Sequence, residues 1–376
     1  MKILHVIRDL SPDTGGPVTA IHGLVRQQVN FGHQVTVVST DFGLAGKVNL
    51  PENRYVLCAC AFGLWRYAPT MCYVLGLQMS KCDVVHIHTV WDYPTLLALR
   101  LARKMGKPFL LRPCGMLENW SMSQSRLKKW VYLRFFAQTL FSPPCILHFT
   151  TLAEQQKSFP PLSPRSFVIE NGLSDAAMAD TSSDAFLERY PELRGKRIVL
   201  FLSRVHPKKR PDIAILAFAH AAASFPDSLL VLAGPCRYEY REKLIALAAT
   251  TGFSNRVRFT GALSGRVLYG AYRAATLFVL PSMQENFGIS VAEAMAAGCP
   301  VVVSEHVALK TYISVGKAGI VCAAAPEPFG LAIAELLRDP IKAVAMGRNG
   351  AVVARQFFTW ERIAKRLDQI YTDITI

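Results

Sequence analysis

The chain has 376 residues, 51% of them apolar and 18% charged, so it is long enough for two domains and reads as globular rather than disordered. Its formal charge of +15 admits nucleic acid, an anionic membrane surface or phosphate-rich substrates as partners. No zinc-finger spacing, aromatic sheet motif or basic zipper accompanies that charge, which sets nucleic acid aside, and no apolar run reaches the length of a membrane span. The nine cysteines show no paired metal spacing, and residues 1–4 do not read as a signal peptide, so reduced thiols in a cytosolic protein are expected.

Residues 3–7 have a buried-strand pattern, followed by a polar loop with Gly15-Gly16-Pro17. Val18, Ile21, Leu24, Val25 and Val29 then recur at helical spacing up to Gly32, and residues 34–39 read as a second strand. Strand, glycine loop, helix and strand within about forty residues make a mononucleotide-binding unit of a parallel sheet. A double glycine alone is usually a tight turn. Between a strand and a helix N-terminus, it also lets backbone N–H groups approach a ligand closely. Residues 55–79 are apolar, but Arg66 and Pro69 interrupt them, and a buried helix or groove wall is predicted there.

Residues 83–88 read as another buried strand, with His86 and His88 on one face. They could form a metal pair, yet no third ligand lies nearby, and a structural role stays open. His88 stands at the strand's C-terminal end, where open α/β sheets bind ligands. Further strands are predicted at 109–111, 146–149 and 167–170, the last leading into Asn171-Gly172. Nine basic residues against one acid occupy positions 100–134. Within 117–144, Trp120, Met122, Leu127, Trp130, Val131 and Phe135 alternate with Arg126, Lys128, Lys129 and Arg134. That mixture suits an interfacial helix on an anionic membrane, or an amphipathic helix packed on the sheet. Residues 174–184 are rich in Ser, Ala and Asp, as in an interdomain linker, with the boundary between about 173 and 194.

The second half opens as the first did, with a strand at 197–202, the loop Ser203-Arg-Val-His-Pro-Lys-Lys209 and a helix at 211–224. Strands are predicted at 229–233, 257–259 and 276–280. Pro281-Ser282 stops the last of these, a loop with Glu285 follows, and a short helix runs from near Ile289 to Gly298, where glycine can take the left-handed cap. Asn286, Phe287 and Gly288 therefore lie where free N–H groups collect, a ready phosphate site. Spacing alone leaves Glu285 as a solvated acid and Glu293 as a helix-dipole partner equally open.

The run Glu285-Asn-Phe-Gly-Ile-Ser-Val-Ala-Glu293, continued by Ala-Met-Ala-Ala-Gly-Cys-Pro-Val-Val, resembles the two-glutamate signature of glycosyltransferase family 4. The resemblance implies a retaining enzyme of the GT-B fold, an α/β architecture of two Rossmann-like parallel-sheet domains facing an interdomain cleft. It implies an N-terminal acceptor-side domain at 1–180, a linker at 181–195, a nucleotide-sugar domain at 196–352 and a C-terminal helix at 353–376 returning to the first domain. By carry-over, Glu285 lies at the donor sugar and Glu293 binds the ribose hydroxyls, a task that suits the two oxygens of a carboxylate. Arg204 and Lys209 match the pair that holds the donor diphosphate, although Ser203 stands where the family often has glycine and Lys208 where it often has an acid. Val257, Arg258 and Phe259 match the segment beside the nucleobase, and Gly15 and Gly16 the loop at the donor–acceptor junction. His88 matches the histidine that contacts the transferred sugar.

No Asp-x-Asp pair occurs, so Arg204, Lys209 and the amides of Asn286 to Gly288 are expected to stabilise the leaving phosphate without a metal or other cofactor. The implied partners are a nucleotide-sugar donor and a glycan or polyprenyl-linked acceptor of surface polysaccharide synthesis. The implied location is the cytoplasm, with peripheral contact on the inner face of the plasma membrane. The rival readings are a sugar-nucleotide epimerase of the same fold, a glycoside hydrolase using Glu285 and Glu293, and a non-enzymatic binder of anionic surfaces.

Overall fold

The computed structural model describes residues 1–11, 14–44, 54–158, 164–179 and 182–375. Two compact units result, Met1–Gly172 with Trp360–Ile376, and Leu173–Thr359. The first is built on seven strands: β1 (Lys2–Asp9), β2 (Gln34–Thr40), β3 (Tyr55–Cys58), β4 (Val84–His88), β5 (Phe109–Arg112), β6 (Ile146–Phe149) and β7 (Arg165–Val168). Their spatial order is β3-β2-β1-β4-β5-β6-β7, and every pair is parallel. Helices cover such a sheet on both faces, which is why β4 and β5 are buried at every position, His86, His88 and Arg112 included.

Residues 55–79, expected as one buried helix or groove wall, divide instead into β3 and the helix Met71–Lys81. Parallel pairing of Tyr55–Cys58 with Val37–Thr40 decides this, because an apolar run too short to show a period takes its form from its neighbour.

The second unit has six strands: β8 (Arg197–Leu202), β9 (Ser228–Ala233), β10 (Val257–Gly261), β11 (Leu277–Leu280), β12 (Val301–Ser304) and β13 (Gly319–Cys322). Their order is β10-β9-β8-β11-β12-β13, again all parallel. Residues 181–195, expected as a linker, are folded into this unit, with Thr181 lying outside the described residues. Phe186 and Leu193 are buried in its core, so apolar burial overrides the polar composition around them.

The helix Pro340–Phe357 stays with the second unit, and Trp360–Thr375 belongs to the first. The change of unit therefore falls between these helices and not at residue 353. Trp360 is received by two glycines: a Cβ at Gly23 would lie 2.1 Å from its indole nitrogen, and one at Gly172 2.3 Å from its ring. Arg366 pairs with Glu170 and donates to the Val168 carbonyl at 2.8 Å, while His33 meets Asp368 at 2.9 Å. In both sheets the strand order reverses at one place, between β1 and β4 and between β8 and β11. Open parallel sheets bind ligands beyond the C-terminal ends of the strands at such a reversal.

Candidate active site

In the second unit the loops after β8 and β11 meet at that reversal. One backbone bond joins them, and two further hydrogen bonds tie the loop after β11 to β12 and to the loop that follows it. Met283 N–H donates to the Lys208 carbonyl at 2.9 Å, and the Ser304 hydroxyl donates to the Ser282 carbonyl at 2.5 Å. Ala308 N–H donates to the Glu285 carbonyl at 3.1 Å. The loop 203–209 can lie this close to β9 only because residue 234 is glycine: a Cβ there would sit 1.8 Å from the Ser203 carbonyl oxygen.

This framework brings the Lys209 ammonium onto the Glu285 carboxylate as an ion pair, with Lys209 only 8% exposed. Gly288 then takes φ 89°, and the helix Ile289–Ala296 begins, so Asn286, Phe287 and Gly288 form the approach to its N-terminus. Only glycine holds that dihedral without strain, and a Cβ would also press on the Glu285 side chain at 3.1 Å. The helix ends as expected, with Gly298 at φ 74°.

Glu293 lies one turn into this helix and accepts from the Tyr272 hydroxyl at 2.8 Å. Burial pushes its pKa up to about 7 against the lowering effect of that hydrogen bond. Arg204 is exposed on the loop after β8. Among the described residues, it is Lys209 and not Arg204 of the diphosphate pair that touches Glu285. Burial first, and then the charge of Arg204, lowers the pKa of neighbouring His206. Val257, Arg258 and Phe259 lie on the edge strand β10, where the Arg241 guanidinium sits 5.5 Å from the Phe259 ring.

In the first unit, Gly15 has φ 73° and caps the helix Gly16–Asn30, which follows β1. His88 ends β4, fully buried. It is one of four buried histidines, with His5, His86 and His148. Burial lowers the pKa of His5 to about 4 and holds those of His86, His88 and His148 well below the usual value, so all four are neutral. His5 is the third histidine that the sequence reading lacked. One nitrogen from each of His5, His86 and His88 lies within 4.8 Å of the others. Five of their six ring nitrogens are already hydrogen-bonded, so the trio offers a cation no shared set of lone pairs. The backbone after His88 is fixed by Thr89, at φ 77°, whose hydroxyl donates to buried Asp92 at 2.6 Å. Arg112, buried on the adjacent strand in register with His88, bonds Asn171.

The basic helix Arg126–Phe141 buries only Leu140 and Phe141 completely, while Leu133, Phe136 and Ala137 pack partly on the core. Leu127, Trp130 and Phe135 are 74%, 62% and 72% exposed. Lys129 differs from the other cations. It turns inward to the Ser121 carbonyl and over the Trp91 ring at 5.3 Å. An apolar hollow of about 780 Å³ lies against this helix, lined by Met122, Leu127, Trp130 and Leu133 among others.

Two family models match the chain: "Glycosyl transferase 4-like domain" over residues 15–159 and "Glycosyl transferases group 1" over residues 183–353. A D-inositol 3-phosphate glycosyltransferase of Thermobispora bispora is 36% identical over 185 residues, 47% of this chain and 43% of that protein. The lipopolysaccharide core biosynthesis mannosyltransferase LpcC of Rhizobium leguminosarum bv. viciae is 32% identical over 48% of this chain and 52% of its own length. The chain thus spans about half or less of the curated relatives it matches. Among solved structures, Anabaena Alr3699/HepE in complex with UDP and glucose superposes with TM-score 0.77 at 22% identity, covering 99% of this chain and 100% of that one. WaaG, a glycosyltransferase involved in lipopolysaccharide biosynthesis, gives 0.75 at 19% identity, covering 98% and 99%. At such identities the likeness establishes the fold, GT-B with two Rossmann-like parallel-sheet units.

Proposed function

This chain belongs to the glycosyl transferases, and from that premise we propose that it moves a hexosyl group from a nucleoside-diphosphate sugar to a hydroxyl of a glycan or lipid-linked oligosaccharide. The proposal includes retention at the anomeric carbon and a place in bacterial surface polysaccharide synthesis. One observation carries it: the largely buried Lys209–Glu285 pair stands directly before the glycine-started helix that bears Glu293, at the strand-order reversal of the second unit. Breaking a glycosyl–phosphate bond builds negative charge on the departing phosphate. Lys209, Arg204 and the amides of Asn286 to Gly288 supply fixed positive potential for that charge, the preorganised form of catalysis that needs no metal. Glu293 offers an ionisable acceptor for a ribose diol, and Glu285 a carboxylate for the sugar. The likeness to HepE in complex with UDP and glucose supports a nucleotide-sugar donor, and the LpcC and WaaG likenesses support a surface-glycan acceptor.

The same reading has the first unit dock on an anionic membrane through the helix Arg126–Phe141. Exposed Leu127, Trp130 and Phe135 lie beside exposed Arg126, Lys128 and Arg134, which gives rings for the headgroup boundary and cations for anionic lipid. The deciding assay is nucleoside-diphosphate release from a panel of UDP-, GDP- and ADP-sugars with and without polyprenyl-linked acceptor. An epimerase would convert the sugar without acceptor-dependent release, and a surface binder would release nothing.

A further inference from the structure

Histidine tautomers are rarely legible from heavy atoms, but here one fixed end determines a whole chain of them. His148 Nε2 lies 2.8 Å from the Ile169 carbonyl oxygen, which can only accept, so that nitrogen carries the proton and its Nδ1 is bare. His86 Nε2, 3.2 Å from that bare Nδ1, must therefore donate, which leaves His86 Nδ1 as an acceptor for the Tyr371 hydroxyl at 2.8 Å. Having given up its proton, the Tyr371 oxygen accepts from the Gln28 amide nitrogen at 3.3 Å, so Gln28 Oε1 faces His5 Nε2 at 2.8 Å. His5 is then protonated on Nε2, and its bare Nδ1 accepts from His88 Nε2 at 3.0 Å. The chain of bonds ends at His88 Nδ1, a lone pair that is buried and has no hydrogen-bond partner among the described residues. All four rings are neutral, as burial requires of imidazoles packed beside buried Arg112.

A second buried group shares this condition. Arg112 Nε has no partner either, and Arg112 stands opposite His88 in the β4–β5 register. The His88 nitrogen is an acceptor by its tautomer and the Arg112 nitrogen a donor, so complementary unused hydrogen-bonding capacity stands at the ends of β4 and β5.

We propose that Tyr371 and Gln28 are positioning residues that, through His5, hold His88 protonated on Nε2, so that its Nδ1 accepts a hydrogen bond from a hydroxyl of the sugar substrate. The lock is one-directional. If the Tyr371 hydroxyl is removed, the Gln28 amide can turn over, His5 can move its proton to Nδ1, and His88 can then carry its own on Nδ1, where it repels a hydroxyl donor. The last helix of the chain thereby sets the polarity of a group at the end of β4. The identity of the hydroxyl as a sugar's rests on the transferase reading, whereas the tautomer does not.

The test is long-range proton–nitrogen NMR of the full chain labelled with ¹⁵N-histidine, with His88 assigned by its loss in His88→Ala. The wild type should show neutral rings protonated on Nε2 for His5, His86, His88 and His148. Tyr371→Phe should move the His88 nitrogen shifts toward the other tautomer and lower kcat/KM for the sugar nucleotide about 2- to 12-fold, the worth of one net hydrogen bond. Free nucleoside diphosphate should bind unchanged. His88 protonated on Nδ1 in the wild type, or tautomers unmoved in a folded Tyr371→Phe, overturns the lock. A locked His88 in a chain that turns over no sugar nucleotide supports the lock and overturns the transferase reading. Should Tyr371→Phe not fold, the wild-type spectrum alone decides.

Discussion

Substituting Glu293 by Gln tests the donor site through pH. Its carboxyl is raised from 4.5 to about 7 by burial, so near neutrality about half of the protein holds it uncharged. Only the ionised form offers a full acceptor to both hydroxyls of a ribose diol. Nucleoside-diphosphate affinity should therefore fall about tenfold between pH 8 and pH 6 as the carboxylate fills with protons. Binding at pH 7 should release a fraction of a proton, which titration calorimetry reads as a dependence on buffer ionisation enthalpy. The same residue governs stability, with the opposite sense. A carboxyl whose folded pKa exceeds its unfolded one contributes stability fully below about 4.5 and loses it as pH rises through about 7. The full shift corresponds to about 3 kcal/mol, and solvent access to the half-buried side chain cuts that to about 1–2 kcal/mol. Glu293→Gln should flatten both profiles, with urea unfolding less sensitive to pH and nucleotide binding weaker by about 1.5–3 kcal/mol at pH 8. Affinity that stays constant from pH 6 to 8 in the parent, or equals it in the variant, would remove Glu293 from the ribose.

Lys209→Ala and Arg204→Ala should each cut turnover about 100- to 1,000-fold in a nucleoside-diphosphate release assay, the usual loss for one preorganised donor. Activity should persist in EDTA; a strong loss restored by magnesium or manganese refutes the metal-free reading. Glu285→Gln should depress kcat while free nucleotide binds nearly as in the parent, and equal losses in both would move Glu285 to the nucleotide. Gly234→Ala should destabilise the second unit by about 1–3 kcal/mol in urea unfolding, because the new methyl meets the Ser203 carbonyl. Sedimentation with anionic liposomes should be salt-sensitive and lost when Arg126, Lys128 and Arg134 become Glu, whereas equal binding to neutral vesicles would leave the helix as core.

Much of this was legible from local pattern. Strand runs such as residues 197–202 and 229–233 are apolar without alternation because both sheet faces are covered, and the loops after β8 and β11 follow from where those runs stop. Lys209, Glu285 and Gly288 sit on those loops, so motif and position agree. What local pattern could not supply was set by tertiary neighbours. Tyr55–Cys58 is a strand because β2 accepts it. Phe186 and Leu193 join the second core despite a polar setting. Lys129 turns inward because Ser121 and Trp91 receive it, and charge counting along the helix treats it like Arg126.

The histidine chain shows the same limit at its strongest. Gln28 and Tyr371 are 343 residues apart, and neither belongs to any motif. Their importance comes only from standing between His5 and His86. His5 was visible in the sequence as a histidine inside a buried strand, an unusual place for a titratable group, and that was the one signal available. The physical reason for such a group is that burial beside Arg112 keeps imidazoles neutral. A neutral ring adds no charge to its surroundings, yet it still presents a directed lone pair. On the transferase reading proposed above, the second unit meets the opposite demand: a departing phosphate needs fixed positive charge, and Lys209, paired with Glu285, is the group to supply it. One set of residues is buried so that it stays neutral, and the other is an ion pair.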